Sequence, residues 1–154
     1  MARPDIRLDR DEIEMLLEDV RNLQVATNGP GGFPHLTTLW FFVDDGAVTF
    51  RSFTKSQRIV NLRRDPRITV LAETGTDYQE LRGVMIQGHA HLNTDPEEVL
   101  RVYAEVSRKM LGVDAVDLDG ARATYGRFAG KNTVVRVEPL EMISWDHRKL
   151  DGGY

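Results

Sequence analysis

The chain has 154 residues, a formal net charge of −4 and no cysteine. This length is typical of one domain, and we expect residues 1–154 to form a single domain. Without cysteine, the chain has no disulfide framework, thiolate metal site or cysteine nucleophile, and we expect it in the cytoplasm. Charges interrupt the apolar positions of residues 1–20. We therefore expect no membrane partner and, from the acidic net charge, no nucleic acid.

The first third of the chain predicts one helix and three strands. Asp9 followed by Glu12 is typical of a capping box and predicts a helix over residues 10–21. Runs of β-branched and aromatic residues then predict strands at 23–27, 36–43 and 47–53. Because Asp44-Asp45-Gly46 separates the last two strands, we expect a β-hairpin there.

The remainder predicts further strands with helices between them. Ser56 begins a short helix that Asp65-Pro66 must end, and Asp95-Pro96 begins a longer helix that ends near Gly112. A weaker helical pattern covers residues 120–128. Strands are predicted at 67–73, 81–92, 133–137 and 141–145, the last two on either side of Pro139. Because strands and helices do not alternate regularly, we predict a mainly β (α+β) fold, an antiparallel barrel of about six strands with peripheral helices.

A compact basic stretch lies inside this acidic chain. Residues 51–67 contain one acid, Asp65, and six basic residues, a local balance of +5; the basic residues are Arg51, Lys55, Arg58, Arg63, Arg64 and Arg67. Ser52, Lys55, Ser56, Gln57 and Arg58 come at a strand end immediately before a helix. A phosphate group there would meet charge-assisted hydrogen bonds and the positive end of the helix dipole. The same residues also fit a solvated basic face with an ordinary N-cap at Ser56.

The strand before the hairpin is a second candidate binding element. Thr37, Thr38, Leu39 and Trp40 suit a strand that presents backbone polar groups to a planar heterocycle, with Trp40 as an apolar wall. Ordinary strand packing explains the same pattern.

The order of these motifs resembles the pyridoxamine 5'-phosphate oxidase-like family, and within it the actinobacterial branch of flavin/deazaflavin oxidoreductases. The resemblance covers roughly residues 10 to 150. It is carried by Pro34-His-Leu-Thr-Thr-Leu-Trp-Phe-Phe, Thr54-Lys-Ser-Gln-Arg-Ile-Val-Asn-Leu-Arg-Arg-Asp-Pro-Arg67, Leu81-Arg-Gly-Val, Gly88-His-Ala90 and Ser144-Trp-Asp-His-Arg-Lys-Leu150.

The resemblance implies a six-stranded split β-barrel of the FMN-binding type and a homodimer with a cofactor in each of two interface grooves. The segment matching residues 36–40 would line the ring system, and the segment matching Ser52 to Arg58 would hold the phosphate. The typical oxidase has Ser-Arg-Lys where this chain has Ser56-Gln57-Arg58, so an amide replaces one cation while Lys55 adds one upstream. Its substrate-phosphate arginine motif is not recognisable here, which argues against pyridoxamine phosphate as the substrate.

Further candidates contribute one residue each. Gln87 could hydrogen-bond a cofactor ring or serve as a structural amide. Lys131 is a possible additional anion contact. Trp145 could cap the partner's cofactor across the dimer or pack on its own barrel. His89 and His91 share a strand face, but without a third ligand we assign no metal site.

These observations predict an oxidoreductase that binds the deazaflavin coenzyme F420 and transfers a hydride to or from a small conjugated substrate. One alternative is an FMN-dependent oxidoreductase on the same fold, and another is a non-catalytic flavin, haem or tetrapyrrole carrier. No side chain is assigned as catalytic, and Tyr125, His147 and solvent all remain possible proton donors.

Overall fold

The computed structural model describes residues 4–112 and 117–150, and residues 1–3, 113–116 and 151–154 of the predicted single domain lie outside these ranges. The strands are β1 (Asn22–Asn28), β2 (Pro34–Trp40), β3 (Phe42–Asp44), β4 (Ala47–Phe53), β5 (Arg67–Thr74), β6 (Arg82–Asn93) and β7 (Asn132–Asp146). The α-helices are α1 (Arg10–Asp19), α2 (Gln57–Arg64), α3 (Pro96–Leu111) and α4 (Leu118–Ala129). The strands form one antiparallel sheet in the order β2-β1-β5-β6-β7-β4-β3.

The two edge strands of this sheet are joined by a single residue. β2 ends at Trp40 and β3 begins at Phe42, so Phe41 alone connects one edge of the sheet to the other. The sheet must therefore curl into a half-barrel that brings its edges together at this point. Phe41 is completely buried in the barrel core.

The edges meet only at that end of the barrel. β3 pairs with residues Ala47 to Thr49 of β4, and β2 pairs only with β1. Beyond Thr49, β4 has no strand neighbour on this side. A gap, here called the slit, thus separates β2 from the second half of β4, as in a split barrel.

The sheet has seven strands and not the six predicted. The strand predicted at 36–43 is interrupted at Phe41, while the strands predicted at 133–137 and 141–145 form the single strand β7. β7 continues through Pro139 because it pairs there with Gly88, where the register shifts. A side chain on Gly88 would collide with the carbonyl oxygen of Glu138, so glycine permits this close approach.

The capping residues predicted from the sequence are present at the ends of the helices. Asp9 and Glu12 form the predicted capping box of α1, and Ser56 is the N-cap of α2. α3 ends at Gly112, whose positive φ of 63° suits glycine. Lys109 of α3 then connects the helices to the barrel closure: its Nζ donates to the Leu17 carbonyl at 2.7 Å and lies 3.6 Å from the Phe41 ring centroid. Burial lowers the pKa of Lys109 to about 8.

An ion-pair network holds the β3–β4 hairpin against its neighbours. The Asp44 carboxylate accepts from Arg101 of α3 at 2.6 Å and from Arg136 of β7 at 3.1 Å. The hydrogen bond from Arg101 lowers the pKa of Asp44 below its usual value. The folded state therefore favours the ionised carboxylate.

Removing the Phe41 ring should destabilise the whole fold. Phe41→Ala empties a fully buried site at the one-residue connection between the sheet edges, and we expect a loss of about 3–5 kcal/mol in the free energy of unfolding, measured by urea denaturation. Phe33→Ala removes the same ring from a side chain that is 83% exposed and should change the value by less than about 0.5 kcal/mol. Equal losses in the two variants would refute the closing role of Phe41.

The Asp44 network should make stability depend on pH in the acid range. Because the folded-state pKa of Asp44 is lowered, its stabilisation is present above its unfolded pKa, about 4, and is lost as the pH falls through its folded pKa. Asp44→Asn should therefore cost about 1 kcal/mol at pH 7, and less at pH 3. Asp11→Asn changes an exposed acid of α1 and is the control. A pH-independent deficit in Asp44→Asn would contradict this account.

Candidate functional site

Arg58, in the first turn of α2, bridges the slit. Its guanidinium donates through one terminal nitrogen to Ser52 Oγ of β4 at 2.6 Å and through the other to Thr37 Oγ1 of β2. Ser52 Oγ lies 3.0 Å from Ser56 Oγ, the N-cap hydroxyl of α2. These four residues, Thr37, Ser52, Ser56 and Arg58, are called the Arg58 cluster.

The positive charge of this cluster is not balanced by the described part of the chain. Arg58 forms no ion pair with any carboxylate in residues 4–112 and 117–150, and its Nε atom is buried without a hydrogen-bond partner. Burial lowers the pKa of the guanidinium, although arginine remains protonated at neutral pH. An unpaired cation in a half-buried position is costly unless an anion joins it.

The N-terminus of α2 adds donors beside this charge. Ser56 Oγ caps the Ile59 N–H, and the Ser56 N–H donates to the Phe53 carbonyl. The backbone N–H groups of Lys55, Gln57 and Arg58 have no acceptor among the described residues. Free N–H groups and the helix dipole at a helix start are what a phosphate group binds. The exposed Lys55 side chain lies in the same turn.

A buried amide fixes α2 over the barrel. Asn61 is fully buried; its Nδ2 donates to Thr27 Oγ1 at 3.0 Å, and its Oδ1 accepts from Gln57 Nε2 at 2.7 Å. The Gln57 side chain therefore supports its own helix. The predicted phosphate site thus has its positive charge from Arg58 and Lys55, with the Gln57 side chain engaged elsewhere.

Strand alternation divides the predicted residues of β2 between two faces. Thr37 and Leu39 are half-buried on the inner face, where Thr37 joins the Arg58 cluster and Leu39 packs against the core. Thr38 and Trp40 are exposed on the outer face, and Trp40 keeps 54% of its surface accessible. The chain therefore brings Thr37 to the Arg58 cluster and leaves Thr38 and Trp40 on the other side of the sheet.

Gln87 and Trp145 also lie on the outer face. Gln87 is in register with Thr69 and lines an open cavity of about 510 Å³. Trp145 packs over Gly83, where a Cβ atom would lie 2.7 Å from its ring. The structure does not bring either residue to the Arg58 cluster of the same chain.

Lys131 lies close to the helix start. Its carbonyl accepts from the Thr54 N–H at 2.9 Å, and its side chain is exposed. Arg51, a neighbour in the basic stretch, turns to the opposite face of β4, where its guanidinium stacks 3.8 Å from the Tyr103 ring centroid. Lys131 thus remains available beside Lys55, while Arg51 packs against α3.

Neither side chain considered as a proton donor reaches the Arg58 cluster. Tyr125 stacks on Tyr103 with 4.3 Å between ring centroids and lies 3.3 Å from Ser107 Oγ through its hydroxyl. His147 Nδ1 lies 2.8 Å from the Tyr78 carbonyl oxygen. Within one chain, solvent is therefore the remaining candidate.

The two strand histidines, His89 and His91, lie on β6. His91 Nε2 lies 2.5 Å from a Glu138 oxygen, and residues 4–112 and 117–150 contain no group of three side chains placed to bind a metal. The sequence prediction overlooked a third histidine, His35. Its position two residues before Thr37 places it on the same face of β2 and is the signal that could have identified it.

A phosphorylated flavin or deazaflavin fits the Arg58 cluster on structural grounds. The cluster offers a guanidinium without a carboxylate partner, whose Nε is buried and unpaired, and two serine hydroxyls. The start of α2 adds three free backbone N–H groups. All of these groups can donate hydrogen bonds directly to an anion such as a phosphate. None of the helices in the described ranges has the length and apolarity needed to cross a membrane.

Comparison with known proteins identifies the family of this chain. The family model described as pyridoxamine 5'-phosphate oxidase matches residues 9–146. The crystal structure of the conserved hypothetical protein Rv2991 from Mycobacterium tuberculosis is 37% identical, with a TM-score of 0.88 over 100% of this chain and 94% of that chain. None of the curated proteins matches the sequence.

More distant structures share the fold. One, described as an F420 reductase, is 18% identical, with a TM-score of 0.63 over 84% of this chain and 94% of its own. HutZ, the haem storage protein from Vibrio cholerae, is 14% identical, with a TM-score of 0.66 over 88% of this chain and 94% of its own. The fold thus occurs in proteins of different functions. The family match and the 37% identical structure show that this chain belongs to the pyridoxamine 5'-phosphate oxidase family.

Proposed function

We propose that the chain is a cytoplasmic, homodimeric oxidoreductase that binds coenzyme F420 and transfers a hydride to or from a small conjugated substrate. The observation that carries this proposal is Arg58, a half-buried cation at a helix start with no carboxylate partner among the described residues. In a family named for a flavin-dependent oxidase, the phosphate of a flavin-type cofactor is the anion that such a site suits.

The chain's own residues bind and orient the cofactor. A bound deazaflavin or flavin ring supplies the hydride-transfer chemistry. Arg58, Ser52 and the free N–H groups at the start of α2 hold its phosphate. Trp40 lies on the other side of the sheet, so it would offer its apolar wall to the ring of a cofactor that is held by a second copy. No described side chain needs to act as a nucleophile.

The surplus of cations supports F420 over FMN. Of the six basic residues in the basic stretch, only Arg67 forms an ion pair with an acid in the described part of the chain. Arg58 can match a single FMN phosphate, which leaves Lys55 and Lys131 unused, whereas F420 adds the carboxylates of its glutamate tail. Exposed Lys55 and Lys131, beside the start of α2, are available to such a tail. FMN is the alternative cofactor.

A homodimer is supported by the outer face of the sheet. Leu36, Trp40, Leu140 and Ile143 lie on this face and keep 65%, 54%, 64% and 43% of their surfaces exposed. Monomeric proteins rarely leave several large apolar side chains together on one surface. A second copy would cover this face and bring Trp40, Gln87 and Trp145 to an interface groove.

Arg58→Gln should lower the affinity for phosphorylated cofactors. Fluorescence titration of the purified chain with F420 and FMN should show at least a tenfold weaker Kd, because the variant removes the guanidinium that spans the slit. Riboflavin lacks the phosphate, so its weaker binding should change little. The Lys55→Ala/Arg58→Ala double variant should abolish phosphate-dependent binding.

Arg63→Gln is the matched control. Arg63 is exposed on the same helix, so this variant makes the same charge change without touching the cluster, and its Kd should stay within twofold of the original. Unchanged affinity in Arg58→Gln would refute the site.

Turnover is tested separately with reduced cofactor against quinones, nitroaromatics and tetrapyrroles. Tight cofactor binding without reduction of any acceptor would overturn the enzymatic proposal in favour of a carrier.

Ile143→Glu should convert the dimer into a monomer in light-scattering measurements. The substitution places a charge on the outer face near the middle of the sheet, where a second copy would have to bury it. Leu111→Glu changes a leucine that is 66% exposed at the end of α3 and should leave the dimer intact. A dimer that persists in Ile143→Glu would exclude this face as the interface.

A further inference from the structure

His35 lies next to the Arg58 cluster on the inner face of β2. It is half-buried and, because side chains alternate along a strand, it points to the same side as Thr37, about 7 Å away. Across the strand pair it is in register with Thr27 of β1. His35 therefore lies between two threonines that both contact α2.

Those contacts place His35 beneath α2. Arg58 donates to Thr37 Oγ1, and Asn61, one helical turn later, donates to Thr27 Oγ1 at 3.0 Å. The helix thus crosses the strand pair with His35 between these two attachment points. Neither Arg58 nor Asn61 forms a hydrogen bond with the imidazole.

The imidazole has unused hydrogen-bonding capacity. Its Nδ1 atom is buried without a partner, whereas its Nε2 atom makes no hydrogen bond and is not among the buried unpaired atoms of the described residues. A proton on Nδ1 would be a buried donor without an acceptor, which is unfavourable. In the neutral ring, the proton is therefore better placed on Nε2, the nitrogen open to a ligand.

Side chains near Thr37 contain nitrogen atoms without a hydrogen-bond partner. The Gln57 side chain, at the start of α2, is instead engaged within its own helix, because its amide is bonded to Asn61. Two of the four buried unpaired side-chain atoms in the described ranges, His35 Nδ1 and Arg58 Nε, belong to side chains that flank Thr37.

We propose that His35 is a further ligand-binding residue, whose Nε2–H donates a hydrogen bond to an oxygen of the anionic group bound by Arg58. This inference rests on the proposed function and deepens it. It assigns to β2 a side-chain donor beside the donors at the start of α2. The ligand class is a phosphate ester, with Arg58 supplying the charge and His35 a directed hydrogen bond.

Nitrogen NMR of the imidazoles provides a direct test. The chain has four histidines, so a long-range ¹H–¹⁵N spectrum contains four imidazole spin systems, and the His35 signals are those missing in His35→Leu. Addition of inorganic phosphate, and then of FMN, should shift His35 Nε2 and leave the His89, His91 and His147 nitrogens unchanged. The shift should disappear in Arg58→Gln.

Affinity measurements separate binding from a structural role. His35→Leu should weaken FMN and F420 binding five- to tenfold, without affecting riboflavin, while His35→Gln, which keeps a side-chain donor, should restore most of the affinity. His91→Leu, on the outer side near Glu138, is the control and should bind normally. Thermal denaturation should show His35→Leu and His35→Gln to be equally stable.

The outcomes distinguish this inference from the proposed function. If phosphate shifts the backbone N–H signals of Lys55, Gln57 and Arg58 but not the His35 nitrogens, the role of His35 is refuted and the cofactor site stands. Weaker riboflavin binding in His35→Leu would also refute it, because the contact would then lie away from the phosphate. If neither phosphate nor cofactor binds at α2, both proposals fail.

Discussion

The one-residue connection between β2 and β3 is the constraint on which the rest of the structure depends. Because Phe41 alone joins the two edges, the sheet has to close at this point, and because β3 is only three residues long, it cannot remain closed further along. The resulting slit leaves the second half of β4 and the free side of β2 facing each other without hydrogen bonds between them. Arg58 satisfies side chains on both sides of this gap. The Arg58 cluster is therefore a direct consequence of how the barrel closes.

Charge is distributed so that the start of α2 stays positive in an acidic protein. Acids elsewhere have arginine partners: Asp44 is paired with Arg101 and Arg136, and Asp146 with Arg148. Asp65 lies close to the basic stretch but is bonded to Arg67. These three acids are thus paired with other arginines, and no acid of the described ranges forms an ion pair with Arg58. A net charge of −4 therefore coexists with a site suited to an anion.

Sequence reasoning succeeded where the determining interactions are local. The capping box at Asp9, the N-cap at Ser56 and the cation-rich start of α2 are all defined by residues a few positions apart. The family resemblance, carried by such motifs, was confirmed. The break at Phe41 was not predicted, because it depends on how the whole sheet curls to bring its edges together. The continuation through Pro139 was not predicted, because it depends on pairing with β6, which is distant in sequence.

Contacts between distant segments also limited what the sequence could predict about the candidate site. Alternation along β2 could have separated Thr37 from Thr38 and Trp40, but it does not reveal which face meets α2. That depends on Asn61 reaching Thr27 and Arg58 reaching Thr37, contacts made between distant segments. His35 was missed for this reason, since its neighbours are defined only once α2 is placed over the barrel.

The free side of β2 has a further consequence for how the chain behaves in solution. This seven-residue edge strand contains no aspartate, glutamate, lysine or arginine, the residues that usually keep an open strand from pairing with other chains. An isolated protomer would offer its backbone groups to any extended segment it meets. If a second copy covers this region, apparent stability rises with protein concentration, and dilution favours unfolding.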